Sequence, residues 1–290
     1  GSTVTCESVV RNYAGKLQLR YYTKENSGPG MTRNFGAEHS QGDFLIILDS
    51  DCVLPAGFLQ AIEDELMRKD CDAWGGPDRA HDGFSSVQKA INYSMTSFLT
   101  TGGIRGGKKQ MDKKFYPRSF NMGIRRSLYR QLDGFSSMRF GEDIALSLRI
   151  YKSNANCRLF PDAWVWHKRR TDFKKFFRQV HNSGIARINL MKRHPGSLKL
   201  VHLLPAVFTL GVFASLFLLL IGGGLTVLTL CPNVAIHYNL GMALTLAGLV
   251  PLLLFSFVVF VDSSFRNKSC KVGVLSIWAS FIQLLGYGTG

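Results

Sequence analysis

The sequence lacks the closely spaced cysteines of a structural metal site. Its six cysteines are scattered, at positions 6, 52, 71, 157, 231 and 270. Zinc modules usually bring their cysteine ligands in pairs roughly two to four residues apart. The scatter therefore excludes a zinc-finger class of protein, and reduced thiols in a cytosolic or membrane setting are the simplest interpretation. The sequence also shows no internal repeat.

Charge is absent from two long stretches, Leu203–Leu230 and Tyr238–Val261. Each is long enough to cross the ~30 Å hydrocarbon core of a bilayer as a helix. Uncharged runs beyond about 18 residues favour membrane spans over buried core helices. We therefore predict spans near 203–230 and 238–261, with a third near 272–290 that is cut off at the end of the chain. The absence of charge within these runs argues against a polytopic transporter, whose spans should carry charged groups for its substrate.

Acidic residues are scarce overall: 20 Asp and Glu against 35 Lys and Arg give a formal net charge of +15. Arg266, Lys268 and Lys271 follow the second candidate span, whereas residues 231–237 between the first two contain no Lys or Arg. Loops rich in Lys and Arg stay on the cytoplasmic side of a membrane. We therefore expect a multi-pass protein of the cell membrane whose N-terminal domain lies in the cytoplasm.

A basic segment precedes the first span. Within Asp172–Arg193, Lys and Arg residues alternate with Phe173, Phe176 and Phe177 at roughly helical spacing. This pattern predicts an amphipathic helix that lies among the lipid headgroups and breaks near Gly184. A solvated basic face is the alternative. Nucleic acid is not the expected partner, because the basic segment continues directly into a membrane helix.

The first part of the chain alternates between strand-like and helix-like patterns. The predicted elements are a strand at 17–22, a helix at 31–40, a strand at 44–48, a helix at 57–69, a strand from 73, helices at 85–100 and 143–153, and a strand at 157–167. The basic, glycine-rich segment 101–115 is either a flexible loop or a lid that orders over substrate. These patterns divide the chain into an α/β domain over 1–170, an interfacial helix over 171–200 and a membrane domain over 201–290.

Two carboxylates directly follow the uncharged run Phe44–Leu48. Asp49 and Asp51 stand one residue apart, so both can face one cleft at the end of a buried strand. Oxygen ligands there suit a divalent cation, and such a cation suits a diphosphate leaving group. An acidic turn or a helix cap is the alternative reading of this pair.

Several further motifs accompany this strand in a set order: Pro29-Gly30-x-x-Arg33-Asn34-x-Gly36, Leu48-Asp49-Ser50-Asp51, Gly76-Pro77-Asp78, Asn121-Met122-Gly123 and Gly141-Glu142-Asp143. Together they closely resemble family-2 glycosyltransferases with the GT-A fold, over roughly residues 1–200 and on into the membrane segments. The resemblance implies a Rossmann-like GT-A domain. The family's opening strand is missing, and Gly1-Ser2-Thr3 is similar to the end of its Asp-Asp-Gly-Ser-Thr segment, so we expect a domain incomplete at its N-terminus.

The resemblance also implies catalytic and metal-binding roles. Asp143 matches the base that deprotonates the acceptor hydroxyl, with Glu142 in support; capping of a helix is the alternative role for Asp143. A divalent cation, Mn²⁺ or Mg²⁺, would be held by Asp51, with Asp49 on the cation or the nucleotide ribose. His167 would complete its coordination, although a lone histidine is more often structural.

The remaining site residues are predicted from the same motifs. Donor binding is assigned to Arg33, Asn34, Asp49 and Asp51. It is also assigned to Arg178 and Arg187, because a guanidinium suits phosphate. Acceptor binding is assigned to Gly76, Pro77, Asp78 and Trp166, with a plain turn as the alternative for Asp78.

The stretch Arg178–Asn182 occupies the place where processive members of the family carry Gln-Gln/Arg-x-Arg-Trp. His181 and Asn182 replace the Arg and the Trp of that motif. The missing Trp implies transfer of one sugar at a time, from a nucleotide-sugar donor to a lipid-linked saccharide or other surface glycan. The competing hypothesis is an inactive membrane protein whose degenerate domain only binds a glycan or a partner; the presence of Asp49, Asp51 and Asp143 together argues against it.

Overall fold

The structure is a computed structural model that describes residues 1–102, 115–228 and 238–290. The predicted lid at 101–115 falls almost entirely outside the described residues, as does the segment 231–237. The described helices are α1 (Glu7–Tyr13), α2 (Pro29–Glu38), α3 (Phe58–Arg68), α4 (Ser86–Thr96), α5 (Phe98–Thr101), α6 (Arg126–Gln131), α7 (Glu142–Lys152), α8 (Phe173–Arg193), α9 (Leu204–Leu228), α10 (Tyr238–Asn267) and α11 (Cys270–Thr289). The strands are β1 (Phe44–Leu48), β2 (Cys52–Val53), β3 (Ala73–Gly75), β4 (Asp78–Arg79), β5 (Asn121–Arg125), β6 (Cys157–Leu159) and β7 (Val165–His167), and a 3₁₀ turn covers Leu200–His202.

The larger sheet has the strand order β1-β5-β3-β6. Strand β5 pairs antiparallel with both β1 and β3, and β3 pairs parallel with β6. Because successive side chains of a strand face opposite sides, Ala73 and Trp74 of β3 enter two different cores. Helices α6 and α7 cover one face of the sheet and α3 covers the other, which gives the predicted α/β architecture.

A smaller sheet, ordered β2-β7-β4, stands beside the first. The predicted strand 157–167 is wrong as a single element, since β6 belongs to the larger sheet and β7 to the smaller one. Pro161 and Asp162 lie between them, and a proline has no N–H to continue a ladder of hydrogen bonds. The change of sheet places His167, at the end of β7, opposite Cys52 of β2.

The predicted strand at 17–22 is also wrong. This segment has no regular secondary structure, and Leu17 and Leu19 are 57% and 45% exposed. Alternating side chains favour a strand only where a neighbouring strand supplies backbone partners. No strand within the described residues pairs with this segment.

Helix α8 is continuous through Gly184, so the predicted break there is wrong. A Cβ at Gly184 would lie 2.4 Å from the carbonyl oxygen of Tyr287, so the glycine allows α8 and α11 to approach closely. Phe176 is fully buried against α4 and α11 rather than turned towards lipid headgroups, whereas Phe177 is exposed. The interfacial location of the helix stays a prediction.

Three helical segments are long and apolar enough to cross a membrane: Leu200–Leu228, Asn239–Asn267 and Cys270–Thr289. Helix α10 continues to Asn267, so the turn before α11 is only Lys268–Ser269 and is shorter than the predicted loop. Helix α11 shares one buried apolar cluster with α4 and α8. That cluster joins the α/β domain to the C-terminal helices.

Candidate active site

Arg33 of α2 joins two carboxylates that come from different elements. Its Nη2 donates to Asp49 Oδ1 at 2.8 Å and its Nη1 donates to Glu142 Oε1 at 2.8 Å. The guanidinium also packs over the ring of Phe135, 5.3 Å from its centre. These contacts fix the end of β1 against the start of α7.

The environment of Glu142 favours its neutral form. Burial raises the pKa of its carboxyl, and the negative charge of Asp143 raises it further, while the hydrogen bond from Arg33 opposes both. For Arg33, burial lowers the pKa, but the hydrogen bonds to Asp49 and Glu142 more than offset this and leave the pKa raised. Arg33 therefore stays charged and holds Glu142 in place.

Asp143 lies beside Glu142 and pairs with Arg118. Arg118 Nε is 3.2 Å from Asp143 Oδ2, and Asp143 Oδ1 accepts a hydrogen bond from the backbone N–H of Ile144 at 2.8 Å. The N-cap of α7 is Gly141, at φ +81°, and no side chain caps this end of the helix. Asp143 is therefore not the N-cap residue, but its bond to the Ile144 N–H satisfies one of the free backbone donors in the first turn of α7, so the capping role stays the alternative to the catalytic one.

Asp51 and His167 meet across the pairing of β2 with β7. His167 Nε2 is 3.4 Å from Asp51 Oδ1, and these atoms lie with Cys52 Sγ within 4.8 Å of one another. Burial, then the charges of Asp51 and Asp49, raise the pKa of the Cys52 thiol to about 12, and Sγ donates to the carbonyl of Phe120 at 3.6 Å. Because a protonated thiol is a poor metal ligand, the donors that fit a cation here are carboxylate and imidazole, a set suited to Mn²⁺.

Asp78 lies beside His167 and Arg169, and its acceptor role stays a prediction. Its Oδ2 is 3.8 Å from His167 Nδ1 and accepts from Arg169 Nη1 at 2.5 Å. His167 Nδ1 is itself buried without a hydrogen-bond partner among the described residues. A carboxylate behind a metal-binding histidine normally orients the ring, and Asp78 occupies that position.

A cavity of about 1160 Å³ opens beside Arg33 and the carboxylates around it. Asp49, Glu142 and Asp143 lie on its wall, together with Arg118. The opposite wall comes from α8, and the cavity extends to the start of α9 and the end of α11. The Asp51 and His167 pair lies outside the described lining of this cavity.

The family model for glycosyl transferase family 2 matches residues 1–133. Over residues 1–133, a little under half of the chain, the α/β domain is therefore similar to glycosyl transferase family 2. Among curated proteins, the "Pre-mycofactocin glycosyltransferase" of Mycobacterium tuberculosis is 28% identical over 205 residues, covering 69% of this chain and 42% of its own length. The "Probable glycosyltransferase YdaM" of Bacillus subtilis is 27% identical over 162 residues, covering 53% of this chain and 37% of its own length. The chain thus matches about two fifths of the length of these relatives.

The glycosyltransferase domain also shares its fold with a solved structure. The mannosyltransferase PcManGT from Pyrobaculum calidifontis, solved in complex with GDP-Man and Mn²⁺, aligns with a TM-score of 0.54 at 15% identity. The alignment covers 96% of this chain and 74% of that one. The GT-A fold predicted from the motifs is therefore confirmed, with C-terminal helices apolar enough to cross a membrane.

Some predicted site residues are engaged in holding the glycosyltransferase domain together. The side-chain amide of Asn34 accepts from Tyr129 Oη and from the backbone N–H of Phe135, and it donates to the carbonyl of Phe135. A Cβ at Gly76 would lie 1.7 Å from the carbonyl oxygen of Ala163, so this glycine is required for close packing. The donor role of Asn34 and the acceptor role of Gly76 stay predictions.

The other predicted residues divide between two places. Arg178 and Arg187 line the cavity from α8. Trp166 lies on the smaller sheet, where its ring is edge-on to Trp164 at 4.7 Å. Pro77, whose carbonyl accepts from the Val165 N–H, is part of the pairing between β4 and β7.

Three polar residues that contact the candidate site were not predicted from the sequence. Arg118 pairs with Asp143, Arg169 holds Asp78, and fully buried Asn121 donates to the carbonyl of Ala163 at 2.7 Å. Asn121 stands within a motif and was open to prediction. The partners of the two arginines are 25 and 91 positions away in the chain, and no local pattern links them.

Proposed function

We propose that this protein is a membrane-bound, metal-dependent, inverting glycosyltransferase that moves one sugar at a time from a nucleotide-sugar donor. The acceptor is a lipid-linked saccharide or other surface glycan. The observation that carries the proposal is the single cavity that joins Asp49, Glu142 and Asp143 to the first and last candidate membrane helices. The similarity of the domain to family 2 supplies the reaction class.

Asp143 acts as the base in this proposal. It takes the proton of the acceptor hydroxyl, whose oxygen then bonds to the anomeric carbon while the bond from that carbon to the diphosphate oxygen breaks. The sugar is transferred with inversion, and a nucleoside diphosphate leaves. Arg118 holds the carboxylate of Asp143 in position, and Glu142 is fixed by Arg33 beside it.

Asp51 and His167 are the residues proposed to hold a divalent cation, Mn²⁺ or Mg²⁺. Their separation of 3.4 Å fits two ligands of one ion, and two ligands leave positions for diphosphate oxygens. When bound, the cation stabilises the negative charge that develops on the leaving diphosphate. A protein of the same fold was solved in complex with GDP-Man and Mn²⁺, which supports a nucleotide sugar and a divalent cation as the ligands proposed here.

Asp49 and Arg178 are proposed to serve the donor. Asp49 lies at the wall of the cavity and is oriented by Arg33, and Arg178 presents a guanidinium to the same cavity from α8. His181 and Asn182, in place of the Arg and Trp of processive enzymes, support transfer of a single sugar.

The proposed location is the cell membrane, with the glycosyltransferase domain in the cytoplasm, where nucleotide sugars are made. Lys268 lies in the turn between α10 and α11 and Lys271 lies in the first turn of α11, near the end of α10 where Asp262 accepts a hydrogen bond from Tyr93 of the domain at 2.8 Å. Positive residues at that end support the orientation. Membrane lipids are the expected surroundings of α9 and α10.

Asp143→Asn tests the proposed reaction directly. The amide keeps the shape of the side chain but cannot take a proton, so transfer should fall roughly 10²- to 10⁴-fold while donor binding persists. Transfer would be followed with radiolabelled nucleotide sugars, and Asp162→Asn, in an exposed turn, is the matched control. A variant that binds donor and transfers at the parental rate would refute Asp143 as the base.

A further inference from the structure

The cavity has a second end, formed by the candidate membrane helices. Leu204, Pro205 and Phe208 of α9 and Leu284 and Tyr287 of α11 line it there. The ring of Phe208 packs 4.8 Å from that of Phe255 and 5.7 Å from that of Phe281, so its wall is firmly placed. The polar end that holds Asp143 is therefore continuous with an apolar mouth among helices suited to lipid.

Apolar side chains around this mouth remain uncovered. Leu204 is 52% exposed and Phe98, on α5, is 55% exposed. Both also belong to the lining of the cavity. Removal of such surface from water is favourable, and a nucleotide, which is polar over its whole length, provides little apolar surface to cover it.

Positive charge lies between the mouth and the base. The carboxylates on the cavity wall already have arginine partners, Arg33 and Arg118. Arg187 donates to the hydroxyl of Tyr287 at 3.4 Å, and neither Arg178 nor Arg187 has a carboxylate partner in the part of the chain that the structure describes. An unbalanced guanidinium in a cavity is suited to phosphate.

Close contacts at two glycines locate Arg187 relative to the start of α7 and the end of α11. A Cβ at Gly141, which begins α7, would lie 3.1 Å from Leu190 and 3.4 Å from Ala186, so the start of the catalytic helix touches α8 beside Arg187. A Cβ at Gly288 would lie 2.5 Å from the carbonyl oxygen of Pro205, so the end of α11 touches the mouth. Arg187, bonded to Tyr287, therefore stands between the catalytic carboxylates and the apolar opening.

From this arrangement we infer that the acceptor is a saccharide joined to a lipid through phosphate, whose phosphate or diphosphate binds Arg187 and Tyr287 and whose apolar chain lies between α9 and α11. The inference rests on the proposed function and narrows its acceptor to one chemical class. A donor diphosphate shares the phosphate chemistry but has no chain to fill the mouth. The two sources of phosphate therefore differ in which residues they should depend on.

Binding of farnesyl phosphate to the full chain in nanodiscs tests the inference without any transfer step. Arg187→Gln should weaken it about tenfold or more, the effect of losing a charge-assisted hydrogen bond. Arg187→Lys should restore part of the loss, and Arg193→Gln, on the same helix but outside the cavity lining, should bind as the parent does. To test contact with the hydrocarbon chain of the ligand, Leu204→Ser should weaken binding. Leu210→Ser, at an exposed position of α9 outside the cavity lining, should not.

The remaining probes separate the possible outcomes. Farnesol and inorganic phosphate should each bind much more weakly than farnesyl phosphate. The inference is overturned if Arg187→Gln binds farnesyl phosphate normally, or if that variant loses only nucleoside diphosphate, which would make Arg187 a donor residue. A normal Arg187→Gln result together with the expected loss of transfer in Asp143→Asn would reject the lipid acceptor and leave the glycosyltransferase function standing.

Discussion

The two carboxylate clusters of the domain are built in opposite ways. In the first, each of Asp49, Glu142 and Asp143 has an arginine within 3.2 Å. In the second, Asp51 faces the imidazole of His167 and has no arginine partner among the described residues. Asp49 and Asp51 are only two positions apart at the end of β1. Nevertheless every carboxylate of the first cluster, here called the balanced cluster, has an arginine partner, and Asp51 of the second, the open cluster, has none among the described residues.

The difference separates two kinds of chemistry. Carboxylates held by arginines have fixed positions and little need of a cation, which suits orientation and proton transfer. A carboxylate opposite an imidazole offers ligand atoms to an ion that brings its own positive charge. The two aspartates of the Asp-x-Asp pair therefore differ in their partners: Asp49 belongs to the balanced cluster, and Asp51 belongs to the open cluster, which is the one proposed to hold a metal ion.

The largest expected effect comes from breaking the open cluster. Asp51→Ala should lower turnover roughly 10³-fold and abolish tight Mn²⁺ binding, because it removes a ligand of the ion that stabilises the leaving group. Asp49→Asn should retain Mn²⁺ affinity, since its partner is Arg33. Electron paramagnetic resonance would measure the Mn²⁺ affinity of both aspartate variants, with Glu63→Ala, an exposed position, as the control. Equal loss of Mn²⁺ in the two aspartate variants would erase the distinction between the clusters.

Removal of Arg33, the positive charge at the centre of the balanced cluster, should lower the stability of the protein. Arg33→Gln leaves Glu142 buried without its partner, which should cost about 2 kcal/mol and lower the unfolding temperature by roughly 4–8 °C. The double variant Arg33→Gln/Glu142→Gln should recover part of this loss. Arg11→Gln, in an exposed ion pair with Glu7, should change the unfolding temperature little. Thermal unfolding in detergent would show the difference, and an unchanged Arg33→Gln protein would mean that the bridge is not structural.

The smallest expected effect is a pH dependence. Since the pKa of Glu142 is raised by burial and by Asp143, the folded state holds this proton at pH values where the unfolded chain releases it. Stability from this group is complete below its unfolded pKa and is lost as pH rises through the folded pKa. Glu142→Gln should remove that decline, so its unfolding temperature should gain on the parent as pH rises from 4 towards neutrality. A constant difference across this range would contradict the raised pKa.

Elements with strong local signals were predicted well from the sequence. Strand β1 is Phe44–Leu48 as predicted, since an uncharged apolar run bounded by polar residues specifies a buried strand. Helices α3 and α7 are within one residue of their predicted bounds. The pairing of Asp51 with His167, 116 positions apart, followed from the family resemblance rather than from any local pattern.

The failures share one cause: tertiary contacts replaced local preference. Residues 17–22 alternate like a strand but have no strand beside them, and Gly184 marks a helix contact rather than a break. Asn34 is polar and adjacent to Arg33, yet its amide is bound to Phe135. Such partners lie far away in the chain, so neither composition nor periodicity could identify them.

The close contact between α8 and α11 at Gly184 has a consequence for what the enzyme can reach. Because α4, α8 and α11 share one buried cluster, the carboxylates proposed for catalysis have a fixed position relative to the candidate spans. If the acceptor is anchored in the bilayer as proposed, its hydroxyl must lie at the same distance from the spans as Asp143. Acceptors with too few or too many sugars would place that hydroxyl short of Asp143 or beyond it, so the contact between α8 and α11 would select acceptors by length.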